Sequence, residues 1–200
     1  MSRQVNEAGR ARLWPDGGLD RAALVVVDAQ IGFGNDSFWG PRDNAECEGN
    51  IRTLLDKWRA SDRPVVLVKH NSRTVESPLH PSNPGNALYP WTDGRTDLLV
   101  TKEVNSSFHG SPDLAAWLTN QDIKDIVVCG ITTNHCCETT ARVGANLGFT
   151  VYFVLDATHT FDRAAPDGSI TSASQLAHIT ATNLHQEFAT IVQTNDLIRA

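Results

Sequence analysis

The chain has 200 residues, enough for one domain around a single sizeable core. Its 40% hydrophobic and 20% charged residues are ordinary for a globular protein, and a formal charge of −6 without a Lys/Arg cluster argues against nucleic-acid binding. No apolar run is as long as a membrane span, and the opening MSRQVNEAGRARLWPDGG lacks the apolar stretch of a secretion signal, so a cytoplasmic protein without membrane contact is expected.

Residues 1–20 are polar and rich in Gly and Arg, and read as an N-terminal arm that orders only against a neighbour. Six apolar runs follow: AALVVVD (22–28), PVVLVKH (64–70), DLLVTK (97–102), DIVVCG (125–130), TVYFVLD (150–156) and EFATIV (187–192). Each is continuous rather than alternating, as in strands buried on both faces. Helical patterns lie between most of them. Residues 44–60 carry Ile51, Leu54, Leu55 and Trp58 at helical spacing; 136–147 and 172–185 are two more, the last with Leu176, Ala177, Thr180 and Leu184 on one side. At 111–119, Ser111 is expected as N-cap, Pro112 as the first helical residue and Asp113 as a partner for the dipole. This alternation predicts an α/β fold: a three-layer, doubly wound (Rossmann-like) six-stranded parallel sheet with helices on both faces, in one domain over 1–200.

Three connections, 29–43, 71–96 and 157–171, are longer than such a fold requires, which points to function. The middle one has four prolines and two large aromatics, a composition suited to a stiff lid or wall.

Ligands of open parallel sheets bind beyond the carboxyl ends of the strands. Those ends carry Asp28, His70, Lys102, Gly130 with Cys136 just beyond, and Asp156, which reads as the start of a turn. Asp28 and Lys102 directly terminate fully apolar strands, where a charge is costly unless paired or functional. Cys136 stands where a buried strand gives way to a helix, and backbone dipoles there are expected to lower its pKa. An acid, a base and a thiol at one edge form a hydrolase constellation.

The four cysteines, Cys47, Cys129, Cys136 and Cys137, show no CxxC pair or disulfide framework. Cys47 and Cys129 read as small buried apolar residues. A helix turns about 100° per residue, so only one of Cys136 and Cys137 faces a cleft. Cys137 shares a side with Ala141, Gly144, Ala145 and Gly148, a row suited to close packing, which leaves Cys136 for chemistry. Cys136 to Arg142 also spells C-x5-R, the spacing of a phosphate cradle. The intervening CETTA has no glycine and puts Glu138 where an anion would sit, so a phosphatase is discounted. There is no G-x-S-x-G, and Gln30 stands where an aspartate-nucleophile phosphatase needs a second Asp.

VVVDAQIGF around Asp28, TKEVNSSFHG around Lys102 and GITTNHCCETTARVGANLGF around Cys136, in this order and spacing, resemble the isochorismatase-like cysteine hydrolase superfamily, which includes nicotinamidases and carbamoylsarcosine amidohydrolases. The likeness runs from about Ala22 to about Thr194. It implies a catalytic triad of Asp28, Lys102 and Cys136, an oxyanion hole of the Thr132 and Cys136 backbone N–H groups, and a cis peptide at Ile131–Thr132. Nicotinamidases of this superfamily hold a metal after the second strand, but VKHNSRTVESPLH has His70 and Ser72 where the ligand Asp and first His would be, leaving His80 alone. No metal and no other cofactor is therefore expected.

The resemblance and the retained thiol point to hydrolysis of a C–N bond in a small amide, lactam or ureide through a thioester. The alternatives are vinyl ether hydrolysis of the isochorismatase type and a non-catalytic binding or assembly role on the same scaffold. By position, Gln30, Phe33, Trp39, His70, Phe108, His109 and Phe161 are candidate pocket residues. The family habit and the arm suggest a homo-oligomer.

Overall fold

A computed structural model describes residues 19–199. The arm expected over 1–20 lies outside the described residues except for Leu19 and Asp20, of which Leu19 is buried in the core.

Strands β1 (Ala23–Val27), β2 (Val65–His70), β3 (Leu98–Lys102), β4 (Asp125–Ile131) and β5 (Thr150–His159) are followed by a hairpin of two short strands, β6 (Arg163–Ala164) with β7 (Ile170–Thr171), and by β8 (Thr190–Val192). Six of them form one parallel sheet in the order β3-β2-β1-β4-β5-β8, and the hairpin stands apart. Helices are α1 (Asp36–Trp39), α2 (Cys47–Ala60), α3 (Leu114–Asn120), α4 (Glu138–Asn146), α5 (Ala173–Leu184) and α6 (Thr194–Ile198). Among the described residues, no helix is long and apolar enough to cross a membrane.

The continuous apolar runs fill two cores, because successive side chains of a strand leave opposite faces of the sheet. Leu24 and Val26 of β1 meet Ile51, Leu54, Leu55 and Trp58 of α2 and Leu197 of α6. Ala23, Val25 and Val27 meet Leu114 and Leu118 of α3, Ala141 of α4 and Leu184 of α5. The result is the expected three-layer fold. Each fully buried large side chain here contributes roughly 1.5–3 kcal/mol. Trp58 is anchored further, its indole N–H donating to the Ala22 carbonyl at 2.8 Å.

Two local expectations change. Asp113, not Ser111, caps α3, its side chain accepting from Ala116 N–H. Ser111 instead pairs with Thr101 through two backbone hydrogen bonds of 2.8 Å, and a cis Ser111–Pro112 bond follows it. Asp156 does not end a strand either: β5 runs on to His159. Its Oδ1 accepts from the backbone N–H of Thr194 at 2.7 Å and from the Thr194 hydroxyl at 2.9 Å, tying α6 to the sheet. In the long 71–96 connection, Tyr89 and Trp91 stack at 5.2 Å and pack onto the α2 core rather than over a cleft.

Candidate active site

The chain builds the sheet outward from β1 through β2 to β3, then returns to place β4 on the other side of β1. The carboxyl ends of β1 and β4 therefore flank the point where strand order reverses, which is where open α/β sheets leave a crevice. Asp28 follows β1 with φ +51°, a left-handed conformation uncommon for a residue with a side chain. Opposite it, Gly130 of β4 has φ +126°, and a Cβ there would lie 1.9 Å from the Val27 carbonyl oxygen. Only glycine lets these two strands approach so closely. Beyond Gly130 come a cis Ile131–Thr132 peptide, a π-helical turn over Thr133–Cys137, and α4.

These elements bring Asp28, Lys102 and Cys136 together. Lys102 Nζ donates to Asp28 Oδ2 at 2.6 Å and lies 3.3 Å from Cys136 Sγ. The Asp28 and Lys102 side chains retain no solvent exposure, while Cys136 keeps 7%. Burial alone would depress the lysine pKa, but Asp28 and Cys136 overcome it and hold the ammonium above its ordinary value. The second carboxylate oxygen, Oδ1, is buried with no hydrogen-bond partner, and a carboxylate oxygen of Asp28 lies within 4.8 Å of the Cys136 sulfur.

Burial, reinforced by Asp28, pushes the Cys136 thiol well up, with Lys102 opposing. The helix-terminus expectation of a lowered pKa is therefore reversed. Cys136 is the fourth residue of its turn and nearly enclosed, so desolvation of a thiolate outweighs the backbone dipoles. Cys137 is fully buried and packs in the α3–α4 core, as the small-residue row implied. Arg142 is ion-paired with Glu138 at 2.7 Å and lies over the Phe188 ring, so it serves no cradle around Cys136.

The positions suggested as pocket fall into four groups. Phe33, Trp39 and Phe161 form one aromatic cluster beside Ile131 and Leu79, with centroids 5.0 Å (Phe33–Trp39) and 5.5 Å (Trp39–Phe161) apart. Gln30 and Phe108 are turned to structural partners. Gln30 is fully buried, and its amide brackets the backbone of His70, accepting from its N–H at 2.8 Å and donating to its carbonyl at 3.0 Å. Phe108 stacks on Phe149 at 5.6 Å and packs against Gly144 of α4. His109 is exposed at a surface depression of about 320 Å³ shared with Arg73 and Glu103. His70, at the end of β2, points its Nδ1 at Lys102 Nζ, 3.2 Å away.

One site residue and one buried histidine outside the site carry no pattern in the sequence. Asn105 Oδ1 lies 3.8 Å from Cys136 Sγ; it sits within TKEVNSSFHG, but a lone Asn beside Phe108 and His109 carries no pattern of its own. His159, fully buried at the end of β5, receives an Arg42 N–H on Nε2 at 3.2 Å, and burial together with Arg42 lowers its pKa to about 4. It was hidden because the strand outlasts its apolar run.

Asp28, His70 and Cys136 are the group of potential metal ligands among the described residues, their donor atoms within 4.8 Å of one another. They surround Lys102 Nζ, so an ammonium already occupies the place a metal ion would need. Ser72 and His80 do not complete a set: the Ser72 hydroxyl accepts from Thr74 N–H, and His80 Nδ1 pairs with Ser82 at 2.7 Å. The donor set does not fit a metal of the kind that nicotinamidases hold after the second strand.

Comparison with known proteins identifies the family of the chain. Residues 22–184 match the family model of the Isochorismatase domain. The chain is 37% identical over 180 residues to the uncharacterized isochorismatase family protein YrdC of Bacillus subtilis, covering 90% of this chain and 95% of that one. It is 30% identical over 199 residues to Nicotinamidase 3 of Arabidopsis thaliana, covering 90% and 88%. A solved cysteine hydrolase from Pseudomonas syringae superposes with a TM-score of 0.81 at 28% identity, covering 93% of this chain and 94% of that one.

Proposed function

The chain belongs to the isochorismatase family of hydrolases, and from that premise we propose that it is a cysteine hydrolase cleaving a C–N bond of a small amide, lactam or ureide. The observation that carries this is the buried ammonium of Lys102 between the Asp28 carboxylate and the Cys136 sulfur. An ether hydrolysis has no need of that sulfur.

In the proposed cycle the thiol proton passes to Asp28 Oδ1, the oxygen that Lys102 leaves free. With the thiol pKa raised, proton transfer accompanies attack instead of preceding it. Sulfur bonds to the carbonyl carbon, and the carbonyl oxygen takes the negative charge, received by the Thr132 and Cys136 backbone N–H groups. The C–N bond then breaks, and the amine leaves with the proton from Asp28. Water, deprotonated by Asp28, adds to the thioester, and the acid product departs as sulfur recovers its proton. Lys102 remains charged throughout and offsets the carboxylate.

Trp39, the half-buried member of the aromatic cluster with buried Phe33 and Phe161, offers a ring face to a flat or ring-bearing substrate. Asn105, with its carboxamide near the sulfur, offers a polar contact for an amide. Ammonia release from a panel of primary amides, ureides and lactams, with nicotinamide included, tests the proposal. Cys136→Ala protein is the control. Turnover by that variant at the wild-type rate would sink the mechanism. Self-association is part of the same proposal and is read by light scattering after size exclusion.

A further inference from the structure

We propose that His70 is a positioning residue, whose neutral imidazole holds the Lys102 ammonium in line between Asp28 and Cys136; this rests on the proposed roles of those three residues.

Lys102 ends β3, and Asp28 follows β1, two strands away. With strands about 4.8 Å apart, the lysine has to cross the end of β2 to reach the carboxylate. The β2 residue paired with Lys102 in the sheet register is His70. An ammonium has three protons to donate. Here it meets three acceptors: Asp28 Oδ2 at 2.6 Å, His70 Nδ1 at 3.2 Å and Cys136 Sγ at 3.3 Å. Once the first two are engaged, the third N–H is left to the sulfur.

An ammonium only donates, so Nδ1 has to be the unprotonated nitrogen and the ring proton sits on Nε2. Burial and Lys102 both favour the neutral ring, while Asp28 and Glu103, the acidic groups facing it, do not outweigh them. A neutral acceptor steers Lys102 without drawing it away from Asp28 as a second carboxylate would.

The backbone that carries the ring is itself fixed from behind. Gln30 brackets the His70 peptide from both sides, and Asn86 donates to the His70 carbonyl at 3.1 Å. The next residue, Asn71, donates its N–H to the Lys102 carbonyl at 2.7 Å, locking the two strand ends together. His70, expected from its position to touch substrate, thus acts through Lys102.

Alkylation of Cys136 by iodoacetamide, followed by peptide mass spectrometry at pH 8.5 on the full chain, tests this without a known substrate. Four proteins are compared: wild type, His70→Leu, His70→Asn and Lys102→Met. Asn keeps an acceptor at the δ position and Leu has none. The expected result is about a fivefold or greater slowing in His70→Leu, recovery to within about twofold in His70→Asn, and slowing in Lys102→Met at least as large as in His70→Leu. Should His70→Leu fail to fold, His70→Ala takes its place. Wild-type rates in folded His70→Leu, or equal slowing in the Leu and Asn variants, with Lys102→Met slowed, would overturn the role of His70 alone. An unchanged rate in Lys102→Met would overturn the role of Lys102 as well.

Discussion

Lys102 Nζ stands 2.6 Å from Asp28 Oδ2 with both side chains wholly out of solvent, and each is the residue that makes the other's burial tolerable. Removing one partner leaves an uncompensated charge, which costs more than the pair is worth. Lys102→Met is expected to destabilise the protein by about 3–5 kcal/mol in urea unfolding. Adding Asp28→Asn to it should restore much of that stability and none of the hydrolysis. A double variant no more stable than Lys102→Met would show that the loss does not come from the orphaned carboxylate.

Cys136 is predicted to be a thiol, not a thiolate, at neutral pH, because burial and Asp28 raise its pKa. Its alkylation by iodoacetamide should be slow at pH 7 and should climb through pH 9 without levelling off. A plateau reached below pH 8 would mean a preformed thiolate. If the proposed thioester forms on Cys136, Cys136→Ala should lower hydrolysis by about three orders of magnitude or more.

His159 gives a pH dependence of stability. Its folded pKa of about 4 lies below the ordinary 6.5, so between those values the unfolded chain binds the extra proton. Stability should therefore be fully present above pH 6.5 and fall as the pH drops toward 4, by about 3 kcal/mol in all. Chemical denaturation of wild type and His159→Gln at pH 7 and pH 4.5 measures this. The acid-induced loss should be smaller in the variant by about 2 kcal/mol or more.

Gly130→Ala would place a methyl group 1.9 Å from the Val27 carbonyl oxygen at φ +126°. The two central strands would have to part. A loss of about 3 kcal/mol or more is expected, with hydrolysis falling in the protein that remains folded. Thermal melts and ammonia release report the two effects separately.

Asp156→Ala is the contrasting case. Its carboxylate holds the Thr194 N–H and hydroxyl, far in function from the sulfur. The variant should lose about 1–2 kcal/mol and keep its turnover. A large fall in kcat with unchanged stability would place Asp156 in the chemistry after all.

Much of the site was legible because its information runs along the chain. An apolar run that stops at one charged residue marks a strand end, and parallel topology sends all such ends to one edge; Asp28 and Lys102 stand out in this way. Cys136 was separable from Cys137 because helical spacing sorts neighbours by face. What could not be read were pairings between distant segments. Gln30 looked like a pocket residue until its amide was seen to bracket His70, forty positions away. Phe108 looked the same until it was found against Phe149 and Gly144. Asn105 near the sulfur had no pattern to announce it.

By itself, then, the sequence determined the layer order, the six strands of the sheet and the edge at which polar groups gather, since hydrophobic period and strand direction are local properties summed along the chain. Only the tertiary structure decided how those groups face one another. Strand order puts β2 between β3 and β1, and this is why His70 lies under the path of Lys102. Enclosure sets the direction of the Cys136 pKa, because the cost of desolvating a charge depends on everything packed around it.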